Sequence, residues 1–177
     1  MQRRELLTRA LLIGTALAAV YGLKRHASTA TAEDLRWLLT PTAALVGVAR
    51  AGHFVWVPAE GYLDGEARFL IAPSCAGVNF LSATLLTAVA GVARSSAPAW
   101  VRWASLPAAA AVALSVTVIV NALRISLAIS LHQHPWWTPV FLSEADAHQL
   151  LGITVYAGAL TALYAAAHRG WEGRARA

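Results

Sequence analysis

Apolar residues gather into five runs, about Leu6–Leu23, Leu35–Ala51, Pro73–Ala93, Trp103–Leu131 and Ala147–Ala167, separated by short polar stretches. Each is close to the roughly 20 residues that a helix needs to cross a hydrocarbon core of about 30 Å. The pattern predicts an all-α membrane protein: a polytopic bundle of about five transmembrane helices forming a single integral membrane domain over 1–177, with a basic tail at 168–177. The second run is the weakest, being short and interrupted by Pro41 and Arg50. The first has the basic start of a signal peptide but no clear small-x-small cleavage site, and it reads as an anchor.

Between the second and third runs the period changes. His53-Phe54-Val55-Trp56-Val57 and Ala67-Arg68-Phe69-Leu70-Ile71 are short and rich in aromatic and β-branched residues, and they flank Gly61-Tyr62-Leu63-Asp64-Gly65. Short strands around a glycine-rich segment predict a small extracytoplasmic β-hairpin with Asp64-Gly65 as its tight turn, leading into the third run. An irregular loop is the other reading of the same segment.

Composition agrees with a bilayer as solvent. Charged residues make up 13% of the chain and the mean hydropathy is +0.54, whereas a soluble domain carries about 25% charge. The formal net charge of +5 does not signal a nucleic-acid partner, because the basic residues stand in short groups between apolar runs. They read as topology markers. Arg94 and Arg102 between the third and fourth runs, and Arg169, Arg174 and Arg176 after the fifth, mark cytoplasmic loops. Glu60, Asp64 and Glu66 before Cys75, and Glu144 and Asp146 before His148, occupy the opposite loops. Lys24 and Arg25 place the first loop inside as well, and five crossings then put the N-terminus outside, against the basic group Arg3, Arg4 and Arg9.

With this orientation three polar side chains fall in the outer part of the bilayer. Cys75, the single cysteine, heads the third run, Arg124 lies near the outer end of the fourth, and His148 opens the fifth. A thiol, an imidazole and a guanidinium at one depth are the parts of a cysteine nucleophile with its base and its anion-stabilising cation. Asn121, one turn before Arg124, lies on the same helical face. Pro73 suits the first turn of a helix, which puts Cys75 near the positive end of a helix dipole. Gly77 leaves room for another backbone or a substrate to come close, and Asn79 in the same run is a further supporting candidate.

Each of these residues also has a plainer reading. An arginine near a helix end snorkels to headgroups, a free cysteine is most often a small buried hydrophobe, and a histidine opening a helix is commonly structural. Two rival functions follow. One is a non-catalytic assembly or carrier protein in which Arg124 pairs with an acid on a partner helix. The other is a metal- or haem-binding membrane protein using His132, His134 and His148 with Glu144 and Asp146, near Trp136 and Trp137, which resemble an outer aromatic belt. The single cysteine excludes an internal disulfide, and no C-x-x-C pair is present.

Cys75-Ala76-Gly77, Asn121-x-x-Arg124 and His148, in that order, resemble the exosortase/archaeosortase family of multi-spanning membrane cysteine transpeptidases. The stretches Trp37-Leu38-Leu39-Thr40-Pro41-Thr42-Ala43, Gly61-Tyr62 and Ala72-Pro73-Ser74-Cys75-Ala76-Gly77-Val78-Asn79-Phe80 are similar to the short exosortase K branch. The likeness covers about residues 35–165. It implies Cys75 as nucleophile, Arg124 as the cation at the developing oxyanion or at an acid of the substrate, and His148 as proton donor and acceptor. It also implies an exported, membrane-anchored protein partner with a C-terminal sorting signal, no cofactor, and a site on the extracytoplasmic side of a prokaryotic inner membrane. Ala76 departs from the pattern, since serine is commoner after the cysteine.

Overall fold

A computed structural model describes residues 2–65, 69–133 and 143–175, except for the side chains of Gln2, Glu144, Ala145 and residues 166–175. The elements in chain order are α1 (Gln2–Ala27), α2 (Arg36–Arg50), β1 (Phe54–Val57), β2 (Gly61–Asp64), β3 (Leu70–Ile71), a 3-10 turn (Pro73–Cys75), α3 (Val78–Arg94), α4 (Ala99–Ala104), α5 (Leu106–Gln133) and α6 (Glu144–Ala175). The protein is a polytopic helical membrane protein with one small sheet. Among the described residues three helical stretches, Arg3–Ala27, Pro73–Arg94 and Ala99–Gln133, are long and apolar enough to cross a membrane. In α1 only 11% of the apolar window is buried within the protein, so its exposed leucines need lipid rather than water as solvent. The second apolar run forms the 15-residue helix α2, which at 1.5 Å per residue reaches about 22 Å and falls short of the hydrocarbon core.

The chain divides into two compact units. The first takes in α1, α3, α4 and the first part of α5. Here Leu12 and Ala16 of α1 pack against Val89 and Ala93 of α3, with Leu85, Leu86 and Leu106 around them. The alanines let the backbones approach, which is how helices gain contact area in lipid. Thr84 of α3 meets Thr117 of α5, hydroxyl to hydroxyl, at 3.2 Å, and both are buried. The fourth apolar run is broken at Ser105, and Pro107 accounts for the restart, since it has no N–H to give and suits a first helical turn.

Arg102 on α4 is 1% exposed. Its guanidinium donates to Glu5 at 2.7 Å and to the carbonyl of Ala93 at 3.3 Å. The start of α1 therefore lies at the same end of this unit as the connection from α3 to α5. That corrects the sequence expectation of an N-terminus opposite Arg94 and Arg102. Arg3, Arg4 and Arg9 share an end with those two arginines, as the positive-inside rule asks. The expectation gave Lys24 and Arg25 more weight than Arg3, Arg4 and Arg9.

The second unit comprises residues Ala30–Gly77 and Val118–Ala165. Helix α2 buries Leu38, Leu39, Thr42, Ala43 and Val46, an i, i+3, i+4 stripe. It ends in a left-handed cap at Ala51, followed by Gly52 N–H donating to the carbonyl of Gly47 at 3.0 Å. A three-stranded antiparallel sheet of order β1-β2-β3 follows, with Trp56 opposite Tyr62 and Tyr62 opposite Ile71. Tyr62 hydroxyl meets Thr40 of α2 at 2.8 Å, and Arg36 of α2 stacks over the Trp56 ring at 4.7 Å.

The sheet refines the expected hairpin. The segment 61–64, expected as the turn region, is itself the central strand, and the first turn falls at Pro58-Ala59-Glu60, where Glu60 N–H donates to Val57 at 3.2 Å. Gly61 decides the register: with φ +125° it lies against β3, and a Cβ there would come within 2.3 Å of the Ile71 carbonyl oxygen. Its role is close strand approach rather than turn formation. Residues 66–68, including Glu66, lie outside the described residues.

The packing of α1 yields a direct check. In a Cys75→Ala background, single cysteines introduced by Arg3→Cys and Ser96→Cys should label from the same side of the membrane with an impermeant thiol reagent. Labelling from opposite sides would mean that α1 runs the other way.

Candidate active site

Strand β3 delivers the chain into the turn that carries Cys75. Ile71 is buried, Ala72 is extended, and Cys75 N–H closes the turn on the Ala72 carbonyl at 2.8 Å while Ala76 N–H donates to Pro73 at 3.0 Å. The thiol was expected in the first turn of a long helix. It sits instead on a three-residue 3-10 turn, and α3 starts at Val78, after Gly77 with φ +75°. A residue in the left-handed region ends regular helix, so Cys75 precedes α3 rather than belonging to its first turn. The N–H groups of Cys75 and Ala76 are both occupied within the turn. Those two N–H groups are therefore not free to meet charge developing beside the thiol.

Asn121 of α5 supplies the anchor. It is fully buried, and its Nδ2 donates to the main-chain carbonyl of Cys75 at 2.6 Å. Its Oδ1 accepts from the Tyr156 hydroxyl at 2.8 Å and from Arg124 Nη1 at 3.2 Å. Gly77 makes this possible, since a Cβ on it would lie 3.1 Å from the Asn121 amide carbon. The room expected there for another backbone or a substrate is taken by Asn121.

Arg124 is half-buried on the same face of α5. Its Nη2 lies 3.0 Å from His148 Nε2, its Nη1 3.4 Å from the Tyr156 hydroxyl, and its Cζ 5.6 Å from the centre of the Tyr156 ring. A guanidinium has donors only, so in this contact Nε2 of His148 accepts and the ring proton resides on Nδ1. His148 is exposed. Gly152, one turn further along α6, is buried, and a Cβ there would come within 3.3 Å of Arg124 Nε.

Five sequence candidates thus meet in the second unit: Cys75, Gly77, Asn121, Arg124 and His148. Asn79 does not join them; it lies exposed on the first turn of α3, in the other unit. Tyr156 and Gly152 were missed. The signal was present, because His148, Gly152 and Tyr156 recur every four residues and share one face of α6. A tyrosine in an apolar helix reads too easily as packing.

The described members of the rival metal set have other partners. His132 packs edge-on against Phe69 at 5.4 Å. Asp146 accepts from the Ser143 hydroxyl at 2.6 Å and donates its N–H back to it at 3.1 Å, which caps α6. His134, Trp136, Trp137 and the side chain of Glu144 lie outside the described residues. Among the described residues no group of three or more His, Cys, Asp or Glu is placed to hold a metal ion.

A thiol whose main chain is tied through one buried amide to a cation, which in turn meets an imidazole, is equipped for acyl transfer at a carbonyl. Comparison with known proteins gives a match to the family described as Transmembrane exosortase over residues 5–165. No curated protein and no solved structure matches the chain. The matched span includes Cys75, Asn121, Arg124 and His148, and the chain belongs to the transmembrane exosortases.

Proposed function

We propose that this protein is a membrane-embedded cysteine peptidase or transpeptidase that processes C-terminal sorting signals of exported, membrane-anchored proteins. Family membership implies cysteine peptidase or transpeptidase chemistry in general. The observation that carries the specific reading is the chain of hydrogen bonds from the Cys75 carbonyl through Asn121 to Arg124 and on to His148. The likeness of Ala72–Phe80 to the exosortase K branch favours that branch and its short substrate-capturing bundle. The basic residues at the Arg94 and Arg102 end favour an inner-membrane protein with its site facing the extracytoplasmic side.

In this mechanism His148 turns its Nε2 lone pair from Arg124 to the Cys75 thiol and takes its proton, which releases Arg124 Nη2 to the substrate, and the thiolate attacks a peptide carbonyl carbon near the substrate's C-terminal anchor. The carbonyl oxygen becomes an oxyanion, met by the Arg124 guanidinium. As the carbon–nitrogen bond breaks, His148 returns its proton to the leaving amine, and Cys75 is left as a thioester. An incoming amine or water then loses its proton to His148 and attacks the thioester, releasing the acyl group and the thiolate. Each such polarising group contributes about 10²–10³-fold. Asn121 holds the guanidinium, and the occupied N–H groups of the turn leave Arg124 as the main electrostatic support. The assembly reading needs Arg124 free for a partner's acid, whereas it is engaged by Asn121, Tyr156 and His148.

Two substitutions test this reading, measured as single-turnover cleavage of a membrane-anchored reporter ending in a Pro-Glu-Pro type signal. Cys75→Ser should insert normally and process nothing, because serine has no comparable anion at neutral pH. Normal processing by Cys75→Ser would remove the nucleophile assignment.

Arg124→Lys should be nearly as damaging as Arg124→Ala, each losing about 10²–10³-fold at matched expression. Lysine keeps the charge but cannot bond Asn121, Tyr156 and His148 together as a planar fork can. Near-normal turnover in Arg124→Lys would reduce Arg124 to a topology marker.

A further inference from the structure

We infer that Tyr156 is a positioning residue of this site, acting through Asn121 to aim the Arg124 guanidinium; the role rests on the cysteine-enzyme reading, but its test does not. The argument begins with the donor and acceptor inventory. Asn121 is fully buried and its Oδ1 has two lone pairs, one taken by Tyr156 at 2.8 Å and the other by Arg124 at 3.2 Å. Its Nδ2 is committed to the Cys75 carbonyl at 2.6 Å. A flipped amide would set its NH2 against the guanidinium, donor to donor, and its oxygen against the carbonyl, acceptor to acceptor. The amide orientation is therefore settled, and with it the direction of the Tyr156 hydroxyl, which must donate to Oδ1.

The hydroxyl oxygen then presents its lone pairs towards Arg124 Nη1 at 3.4 Å, while the ring face lies 5.6 Å from Cζ. Nη1 is thus held by two oxygens and Nη2 by His148. Three restraints fix the plane of the guanidinium and leave one Nη2–H of the fork to face a reacting oxygen. Removing the hydroxyl empties one lone pair of a buried acceptor and leaves Nη1 with a single partner. The cation can then swing about its stem, and a displacement of about 1 Å is enough to cost on the order of 10²-fold in a positioned reaction. Gly152 fits the same picture, because the space over its Cα is where the stem of Arg124 runs.

The test uses the single cysteine as its own probe. The full-length protein in lipid nanodiscs is treated with iodoacetamide at neutral pH, and the alkylation rate of Cys75 is read by intact mass. Only the thiolate reacts, so the rate reports how well the cation supports it. Tyr156→Phe, which keeps the ring face, should lower the rate about tenfold, as should Asn121→Ala, and the double variant should fall no further. Turnover of the anchored reporter should drop about 10–100-fold in kcat with KM within about twofold. A Tyr156→Phe rate within twofold of wild type, or a double variant showing the product of both losses, would overturn the proposal. A merely structural tyrosine would lower yield and melting temperature and multiply with Asn121→Ala. Where Asn121→Ala does not insert, Arg124→Lys takes its place in the cycle, and Tyr156→Met replaces Tyr156→Phe on the same ground. Loss of alkylation without any reporter cleavage by the wild type would keep the positioning role and sink the peptidase reading.

Discussion

The site depends on one buried side-chain amide. Asn121 joins a backbone carbonyl, a cation and a phenol, and each of its polar atoms is matched by a partner of the opposite kind. In a low-dielectric interior an unmatched polar group costs more than a matched one gains. The amide therefore acts as a register pin between the Cys75 turn and the helices carrying Arg124, Tyr156 and His148. Gly77 and Gly152 are consequences of that pin, being the two places where a Cβ would press on Asn121 or Arg124.

The sheet has a matching role. A cysteine at the head of a long apolar helix would be free to ride with that helix. Here it hangs from β3, whose approach to β2 is permitted by Gly61, and its turn is closed by its own N–H groups. That arrangement occupies the N–H groups of Cys75 and Ala76, which is why the proposed mechanism assigns the anion to Arg124. A guanidinium, unlike an ammonium, can bond Asn121, Tyr156 and His148 from one plane. In the other unit Arg102 plays a purely architectural part, clasping Glu5 and the end of α3.

Much of this was legible in the residues alone. Helices long enough for a bilayer follow from the length of the apolar runs, and α3 and α5 fall close to the predicted 73–93 and 103–131. Cys75, Arg124 and His148 stood out because polar groups inside apolar runs are costly and rare. What the pattern could not carry was geometry that periodicity does not encode. A glycine with positive φ looks like any other glycine, so the helix seemed to begin at Pro73. The N-terminal direction was lost because two basic groups pointed opposite ways, and only the Glu5–Arg102 bond decides between them. Tyr156 was hidden by its chemistry, since a tyrosine in a membrane helix usually signals an interface rather than a hydrogen bond to a buried amide.

The central claim, that Cys75 is the nucleophile of a site built around Asn121, is most directly tested by trapping its acyl-enzyme. Full-length protein mixed with an anchored reporter should be quenched in acid within one turnover and digested, and the Cys75 peptide weighed. The account predicts a mass increase equal to the acyl portion of the reporter, removed by hydroxylamine and missing in His148→Ala. Reporter cleavage proceeding at full rate with the Cys75 peptide unmodified throughout the turnover would contradict it.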